Sequence, residues 1–373
     1  MTARHPCFDA GAAGSFARLH LPVAPLCNVS CNYCSRLSDC PNESRPGLCS
    51  RVLSPREALE RFRRARREIP RLSVAGLAGP GETLACPDET LATLELVGRE
   101  DPGITLCLST NGLMLPHYAA QLHSLGLRHV TVTVNAVDPG VGARIYRRAR
   151  YLGSTYRGED AARLILSNQL EGIRIARGLG MAVKVNTVLV GGVNGDHVPA
   201  VAERAGGLGA ELGNVVPLIP VPGTPFQDLP APSPAELREA RWKCGTFLPQ
   251  MTHCRQCRAD AAGLLGDAPG VAGGGRREAG GCAGPCGGRR RDGGGPAGGP
   301  AEAARDRRAV AAYRSGGNPR AMPPQAGAPA CGTGGAAAGG GPASGPAPGD
   351  PAAAPVRGGS GARRAARPAA RRA

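Results

Sequence analysis

The chain has 373 residues, with 45 Lys and Arg against 29 Asp and Glu and a formal charge of +16, which at face value describes a basic protein of two or more domains. The average conceals a break: over residues 271–373, 84 of 103 residues are Gly, Ala, Pro or Arg, and 16 Arg face five acids. Composition therefore supports one folded domain of about 270 residues and excludes a second, because a stretch so poor in branched and aromatic side chains cannot offset its ordering entropy.

In chain order, a first strand-like run covers residues 19–24. Ser54-Pro55-Arg56-Glu57 then opens a helix over 55–68, with Ser as N-cap, Pro at the first helical position and Glu completing a capping box. Apolar runs at 72–77, 104–108, 129–134, 183–190 and 215–219 predict strands. Helices are expected near 89–99, 118–125 and 161–179. A second capping box, Ser233-Pro234-Ala235-Glu236, opens a helix over 234–244. Such βα alternation predicts a parallel sheet. The expected fold is α/β, a partial or full parallel barrel whose strand-end loops build the site; the competing architecture is an open doubly wound sheet, although no G-x-G-x-x-G follows a strand. The expected folded domain is 1–268. Residues 269–373 read as a low-complexity tail, disordered or produced by out-of-frame translation of GC-rich DNA.

Eleven of the fourteen cysteines precede residue 260. The first 25 residues hold no secretory signal and no run approaches a membrane span, so a cytoplasmic, reducing location is expected, where cysteines point to metal or catalysis rather than disulfides. Arg without aromatic interleaving or a reader motif makes nucleic acid a poor partner. Directly after the first strand lies Cys27-Asn28-Val29-Ser30-Cys31-Asn32-Tyr33-Cys34, a C-x3-C-x2-C array. Three thiolates on one loop suit three corners of a four-iron cluster and leave the fourth iron open; a zinc knuckle wants four closed ligands. The array resembles the signature of the radical S-adenosylmethionine superfamily, which implies that the open iron chelates S-adenosylmethionine and reduces its sulfonium. Ala78-Gly79-Pro80-Gly81-Glu82 ends the second strand: Gly79 and Gly81 permit close backbone approach, and Glu82 can accept from the cosubstrate's ammonium group or simply be a solvated turn residue. Asn111, Asn135 and Asn186, at or near strand ends, are expected to face the cosubstrate, or to form turns.

Five further strings are more specific: His5-Pro6-Cys7-Phe8, Phe16-Ala17-Arg18-Leu19-His20, Cys40-Pro41-Asn42-Glu43-Ser44-Arg45-Pro46-Gly47, Leu106-Cys107-Leu108-Ser109-Thr110-Asn111-Gly112 and His253-Cys254-Arg255-Gln256-Cys257-Arg258-Ala259-Asp260-Ala261. From about residue 5 to 266 they resemble the NifB family, radical S-adenosylmethionine enzymes of nitrogenase iron-molybdenum cofactor biosynthesis. The resemblance implies an enzyme of lyase or transferase type that fuses two [4Fe-4S] clusters around a carbide taken from S-adenosylmethionine, and hence three clusters in all. It assigns Cys27, Cys31 and Cys34 to the cosubstrate-binding cluster, Cys7, His20 and Cys107 to one substrate cluster, and Cys40, Cys254 and Cys257 to the other. Six ligands suffice for two cubanes at three each. Without the resemblance, His20 is a strand histidine with one satisfied nitrogen, Cys254-x2-Cys257 half a zinc site or a redox pair, and Glu43 and Arg45 a surface ion pair or charge stabilisers. Cys49, Cys86 and Cys244 read as buried small hydrophobes; Cys282, Cys286 and Cys331 read as incidental.

The implied partners are cluster-supplying assembly proteins, an electron donor such as a ferredoxin, a NifX-like carrier and the NifE/NifN scaffold. Two features depart from the family pattern. Gly81-Glu82-Thr83 stands where Gly-Asp-Pro is expected, and the Gly/Arg-rich tail replaces the carrier domain that relatives often carry. Rival readings are a molybdenum-cofactor cyclase-like enzyme with one auxiliary cluster and a non-catalytic zinc-binding adaptor.

Overall fold

A computed structural model of the chain describes residues 4–42, 44–47 and 50–265. The expected tail with Cys282, Cys286 and Cys331 lies outside these residues, as do Glu43 and Cys49. Along the chain come α1 (Ala10–Ala13), β1 (Ala17–His20), β2 (Val29–Cys31), α2 (Pro55–Glu68), β3 (Leu72–Leu77), α3 (Pro87–Glu100), β4 (Thr105–Thr110), α4 (Leu115–Ser124) and β5 (Leu127–Thr133). There follow α5 (Pro139–Ile145), β6 (Tyr146–Tyr151), β7 (Ser154–Arg157), α6 (Gly158–Gly178), β8 (Ala182–Leu189), α7 (Val198–Gly207), β9 (Leu212–Pro217), α8 (Pro234–Gly245) and β10 (Ala262–Gly263).

Strands β1, β3, β4, β5, β8 and β9 are parallel neighbours in that order, and β10 pairs antiparallel with β1. Because the order never reverses, the sheet winds one way like a barrel wall and lacks the switch point of a doubly wound sheet. Among the described residues β9 and β10 are its two ends, so the barrel is partial. The first strand is β1, earlier than expected. Pro22 cannot donate to a ladder, and the chain continues past it extended, with Leu21 N donating to Gly76 O and Ala24 bridged to Pro80.

Alternation sorts each strand between two environments. Ala17 and Leu19 of β1 and Val183 and Val185 of β8 join the apolar core with Phe62 of α2, Leu94 of α3, Leu122 of α4 and Val201 of α7. The intervening Arg18 and His20, and Lys184 and Asn186, line a cavity inside the barrel. That is why β8 is buried along its whole length. Both expected capping boxes form, at Ser54 with Glu57 and at Ser233 with Glu236.

A smaller antiparallel sheet, β2-β6-β7, was not anticipated. It clamps the cysteine loop: Ser30 pairs with Arg148 and Cys31 with Tyr146. Val29, Tyr33, Ile145, Tyr146, Ile165 and Val188 form a second apolar cluster beneath it. Among the described residues no helix is long and apolar enough to cross a membrane.

Candidate functional site

Two neighbouring cavities hold the chemistry. The first, of about 150 Å³, is lined by Cys27, Cys31, Cys34, Arg36, Cys40, Asn42, Gly81, Glu82 and Asn111. It forms because the turn after β3 is laid along the segment after β1: Gly81 N and Glu82 N donate to the carbonyls of Ala24 and Leu26, each at 2.6 Å. Gly81 has to lack a side chain, since a Cβ there would stand 2.9 Å from the Ala24 carbonyl oxygen and closer still to that of Leu26. Gly79, with φ of 119°, also needs glycine's freedom, although it does not line the cavity.

Glu82 is buried, and its carboxylate accepts from Thr110 Oγ1 at 2.6 Å, Asn111 N at 2.6 Å and Leu84 N at 3.0 Å. The sequence offered this group to a cosubstrate ammonium. In the structure three internal donors engage it, leaving room for one more donor on Oε2. Burial raises its pKa, and the three hydrogen bonds counter the rise. Asn111 donates from Nδ2 to Asn28 Oδ1 at 2.8 Å, beside Cys27.

The other two asparagines lie elsewhere. Asn135 lines neither cavity: its Nδ2 donates to Tyr33 Oη at 2.6 Å and its Oδ1 accepts from Val188 N at 2.8 Å, so it props the aromatic residue that precedes Cys34. Asn186 lines the second cavity, donating to Asn42 O at 3.0 Å and accepting from Asn214 Nδ2 at 3.0 Å.

Burial pushes the thiols of Cys27, Cys31 and Cys34 up, Cys31 furthest because Cys34 and Cys27 add like-charge repulsion. Arg36 opposes the rise at Cys27 and Cys34, and Arg147 opposes it at Cys34. Crowded thiols of this kind ionise readily only against a cation, which metal supplies by displacing the protons. Among the described residues no three His, Cys, Asp or Glu side chains converge as ligands of one ion. Cys27, Cys31 and Cys34 line one cavity, and a cubane's thiolates each hold a different iron, so the donor set fits a cluster.

The second cavity, of about 70 Å³, is the barrel interior, lined among others by His5, Cys7, Arg18, His20, Cys107, Lys184, Asn186, Asn214, Cys254 and Cys257. Asn42 lines both cavities. Burial lowers the His20 pKa to about 4, with the Arg18 charge adding to the shift, so the ring is neutral near pH 7. Its Nδ1 lies 3.1 Å from Arg258 O. A carbonyl only accepts, so Nδ1 carries the proton and Nε2 the lone pair, the arrangement of a metal-ligating imidazole. Burial also raises the Cys7 thiol.

The resemblance groups Cys40 with Cys254 and Cys257; in the structure Cys40 lines the first cavity and the other two line the second. Cys40 N donates to Pro80 O at 2.8 Å, which ties Cys40 to the first cavity. Cys257 Sγ accepts from Arg18 Nη2 at 2.9 Å and Cys254 Sγ from Asn214 Nδ2 at 3.5 Å, which places that pair with Cys7, His20 and Cys107. Sequence reasoning passed over Arg18, Arg36, Lys184 and Asn214. Arg18 and Lys184 each stand two residues from a singled-out position on the same strand, so the period-2 rule offered a signal for them; Arg36, on a loop, offered none. Cys86 and Cys244 are buried.

The family model of the Radical SAM superfamily matches residues 21–205. That segment carries the radical S-adenosylmethionine domain. The chain is homologous to FeMo cofactor biosynthesis protein NifB. It is 44% identical to that of Chlorobaculum tepidum over 263 residues (70% of this chain, 62% of the relative). Against that of Klebsiella pneumoniae it is 45% identical over 269 residues (71% and 58%), and against that of Azotobacter vinelandii 42% over 267 residues (70% and 53%). The chain thus spans between half and two thirds of the length of these relatives. Among solved structures, Streptococcus suis SuiB bound to S-adenosylmethionine is 13% identical with a TM-score of 0.45, covering 64% of this chain and 50% of that one. Methylornithine synthase (PylB) is 14% identical with a TM-score of 0.44, covering 66% and 75%. These two likenesses are too slight to add to the argument.

Proposed function

We propose that the enzyme fuses two [4Fe-4S] clusters and inserts a carbide from S-adenosylmethionine, making the eight-iron precursor of the nitrogenase cofactor. The observation that carries this reading is the surplus of soft donors: all nine candidate ligands, eight cysteines and His20, lie on two cavities that share Asn42. Cys27, Cys31 and Cys34 would hold the resident cluster. Cys7, His20, Cys107, Cys40, Cys254 and Cys257 would hold the two substrate clusters, with Cys40 reaching across from the first cavity beside Asn42. When bound, the resident cluster supplies an electron to S-adenosylmethionine, one molecule of which gives a methyl group and another the 5′-deoxyadenosyl radical that takes hydrogen from it.

The chain's own groups position these reactants. Gly81 admits the cosubstrate close to the loop, Gly79 shapes the turn that carries it, and Glu82 offers its remaining acceptor position to the cosubstrate's ammonium group. Asn111 stands beside them, Asn135 holds the loop from beneath, and Asn186 faces the substrate clusters. Arg18 and Lys184 offset the negative charge of thiolate-bound clusters, and His20, as a neutral ligand, grips more loosely than a thiolate. We assign this chemistry to residues 1–268. Cluster-supplying proteins, a ferredoxin-type reductant, a NifX-like carrier and the NifE/NifN scaffold are its proposed partners.

Anaerobic reconstitution of the full chain is expected to load about twelve iron atoms, four per cubane. About eight would favour the cyclase-like reading, and zinc without iron the adaptor. Given S-adenosylmethionine and reductant, the loaded protein is expected to yield a product that activates cofactor-free nitrogenase. Methyl transfer without that product would refute the assembly role.

A further inference from the structure

Residues 144–158 contain five arginines, at 144, 147, 148, 150 and 157, and no carboxylate. They span the end of α5 and the β6-β7 hairpin. On β6 the central strand position pairs Arg148 directly with Arg157 of β7. Like charges facing each other across strands destabilise a sheet, and a local rule broken on an exposed surface marks a position serving something other than folding. Among the described residues Arg144, Arg147, Arg148 and Arg157 form no ion pair. Arg144 donates to the carbonyls of Gly192 and Val193, and Arg148 to Ser30 Oγ at 3.4 Å. All four are exposed, as are Leu152 (69%) at the hairpin's tip and Tyr156 (36%) on β7.

The placement gives this surface its meaning. β6 is hydrogen-bonded to β2, which carries Cys31, and Asn32 donates from its N to Ile145 O and from Nδ2 to Arg144 O. The arginine strand is therefore the outer neighbour of the loop that bears the resident cluster. A cationic rim with a few apolar anchors is the surface that an acidic protein recognises.

We propose that the β6-β7 hairpin is the docking surface for an acidic one-electron iron-sulfur carrier, which reduces the cluster held by Cys27, Cys31 and Cys34. The inference rests on the reading above, since that cluster must be there to be reduced. In the step, the carrier is oxidised by one electron and the resident cluster reduced by one. That electron then enters the sulfonium, whose C–S bond breaks to give methionine and the 5′-deoxyadenosyl radical. Steering by the arginines raises the encounter rate and makes it depend on ionic strength.

The test uses the full reconstituted chain and its Arg148→Glu/Arg157→Glu variant, with an oxidised acidic [4Fe-4S] ferredoxin as probe in anaerobic calorimetry. The wild type is expected to bind at about 50 mM salt and to weaken roughly tenfold or more by about 300 mM. The variant is expected to bind at least about tenfold more weakly at low salt, and Arg148→Lys/Arg157→Lys to keep most of the affinity. With dithionite as a small reductant, wild type and Glu variant are expected to form 5′-deoxyadenosine equally, which shows that both are folded and loaded. Equal ferredoxin affinity in wild type and Glu variant overturns the proposal. So does a charge-dependent affinity for a mixed-sequence DNA duplex without one for ferredoxin. Failure of the wild type to cleave S-adenosylmethionine with dithionite would instead count against the radical chemistry of the proposed function, and the binding result would still decide the docking.

Discussion

His129 on β5 has neither ring nitrogen hydrogen-bonded among the described residues and packs against His5 and Phe8 with ring centroids 4.7 and 4.8 Å away. Burial lowers its pKa to about 4, with Lys184 adding to the effect. Unfolded, it would titrate near 6.5, so between these values the unfolded chain binds more protons and stability falls as pH drops from about 6.5 to about 4. His5 and His20 shift in the same direction. His129→Leu removes one such group along with two unpartnered polar atoms; it is expected to be neutral or mildly stabilising at pH 7 and to flatten the acid limb in urea denaturation between pH 4 and 7.5. An unchanged limb would contradict the assignment. Glu82→Gln tests a satisfied group. An amide leaves a buried N–H facing other donors, so a loss of about 1–3 kcal/mol is expected by denaturant titration, whereas a solvated turn residue would lose nothing measurable.

Arg18 also joins elements: its guanidinium donates to Gly263 O at 2.5 Å, Leu264 O at 2.7 Å and Cys257 Sγ at 2.9 Å, holding β10 and the 254–265 segment on β1. Arg18→Met is expected to speed amide exchange over 254–265 while leaving α2 and α3 protected; uniform exchange would show a global effect instead. At the turn after β3, Gly81→Ala forces the Cβ against two backbone carbonyls and is expected to lower iron loading of the array more than Ala85→Gly does. Elements governed by local chemistry were legible in advance: Ser54-Pro55 set α2, and the Val, Leu and Ala run set β3, each with the boundaries observed. The β2-β6-β7 sheet was not, because Tyr146-Arg147-Arg148-Ala149-Arg150-Tyr151 shows neither strict alternation nor an apolar run; its strand geometry comes from pairing with the cysteine loop. α5, with two glycines in seven residues, carried only the Asp138-Pro139 cap as a helical signal. Spacing alone marked Cys27, Cys31 and Cys34 as candidate donors and the family resemblance supplied the other six, but the neighbours of Cys40 depend on one backbone bond to Pro80, which no residue pattern announces.

At the scale of the molecule, the one-way strand order builds both cavities from a single continuous domain, with the Cys27–Cys34 loop hung from β1 and clamped by the side sheet. The described core draws on residues up to Leu264. A chain ended after residue 268 is therefore expected to melt within about 2 °C of the full one, since it keeps the described core whole; a larger drop by calorimetry would assign part of the fold to the remainder. The pairing of β10 with β1, Arg18 opposite Gly263, also orders events during biosynthesis. On the ribosome the first array emerges early, whereas Cys254, Cys257 and the strand that fastens them are the last parts of this domain to be made, so the barrel interior stays open until the domain's own synthesis is nearly finished.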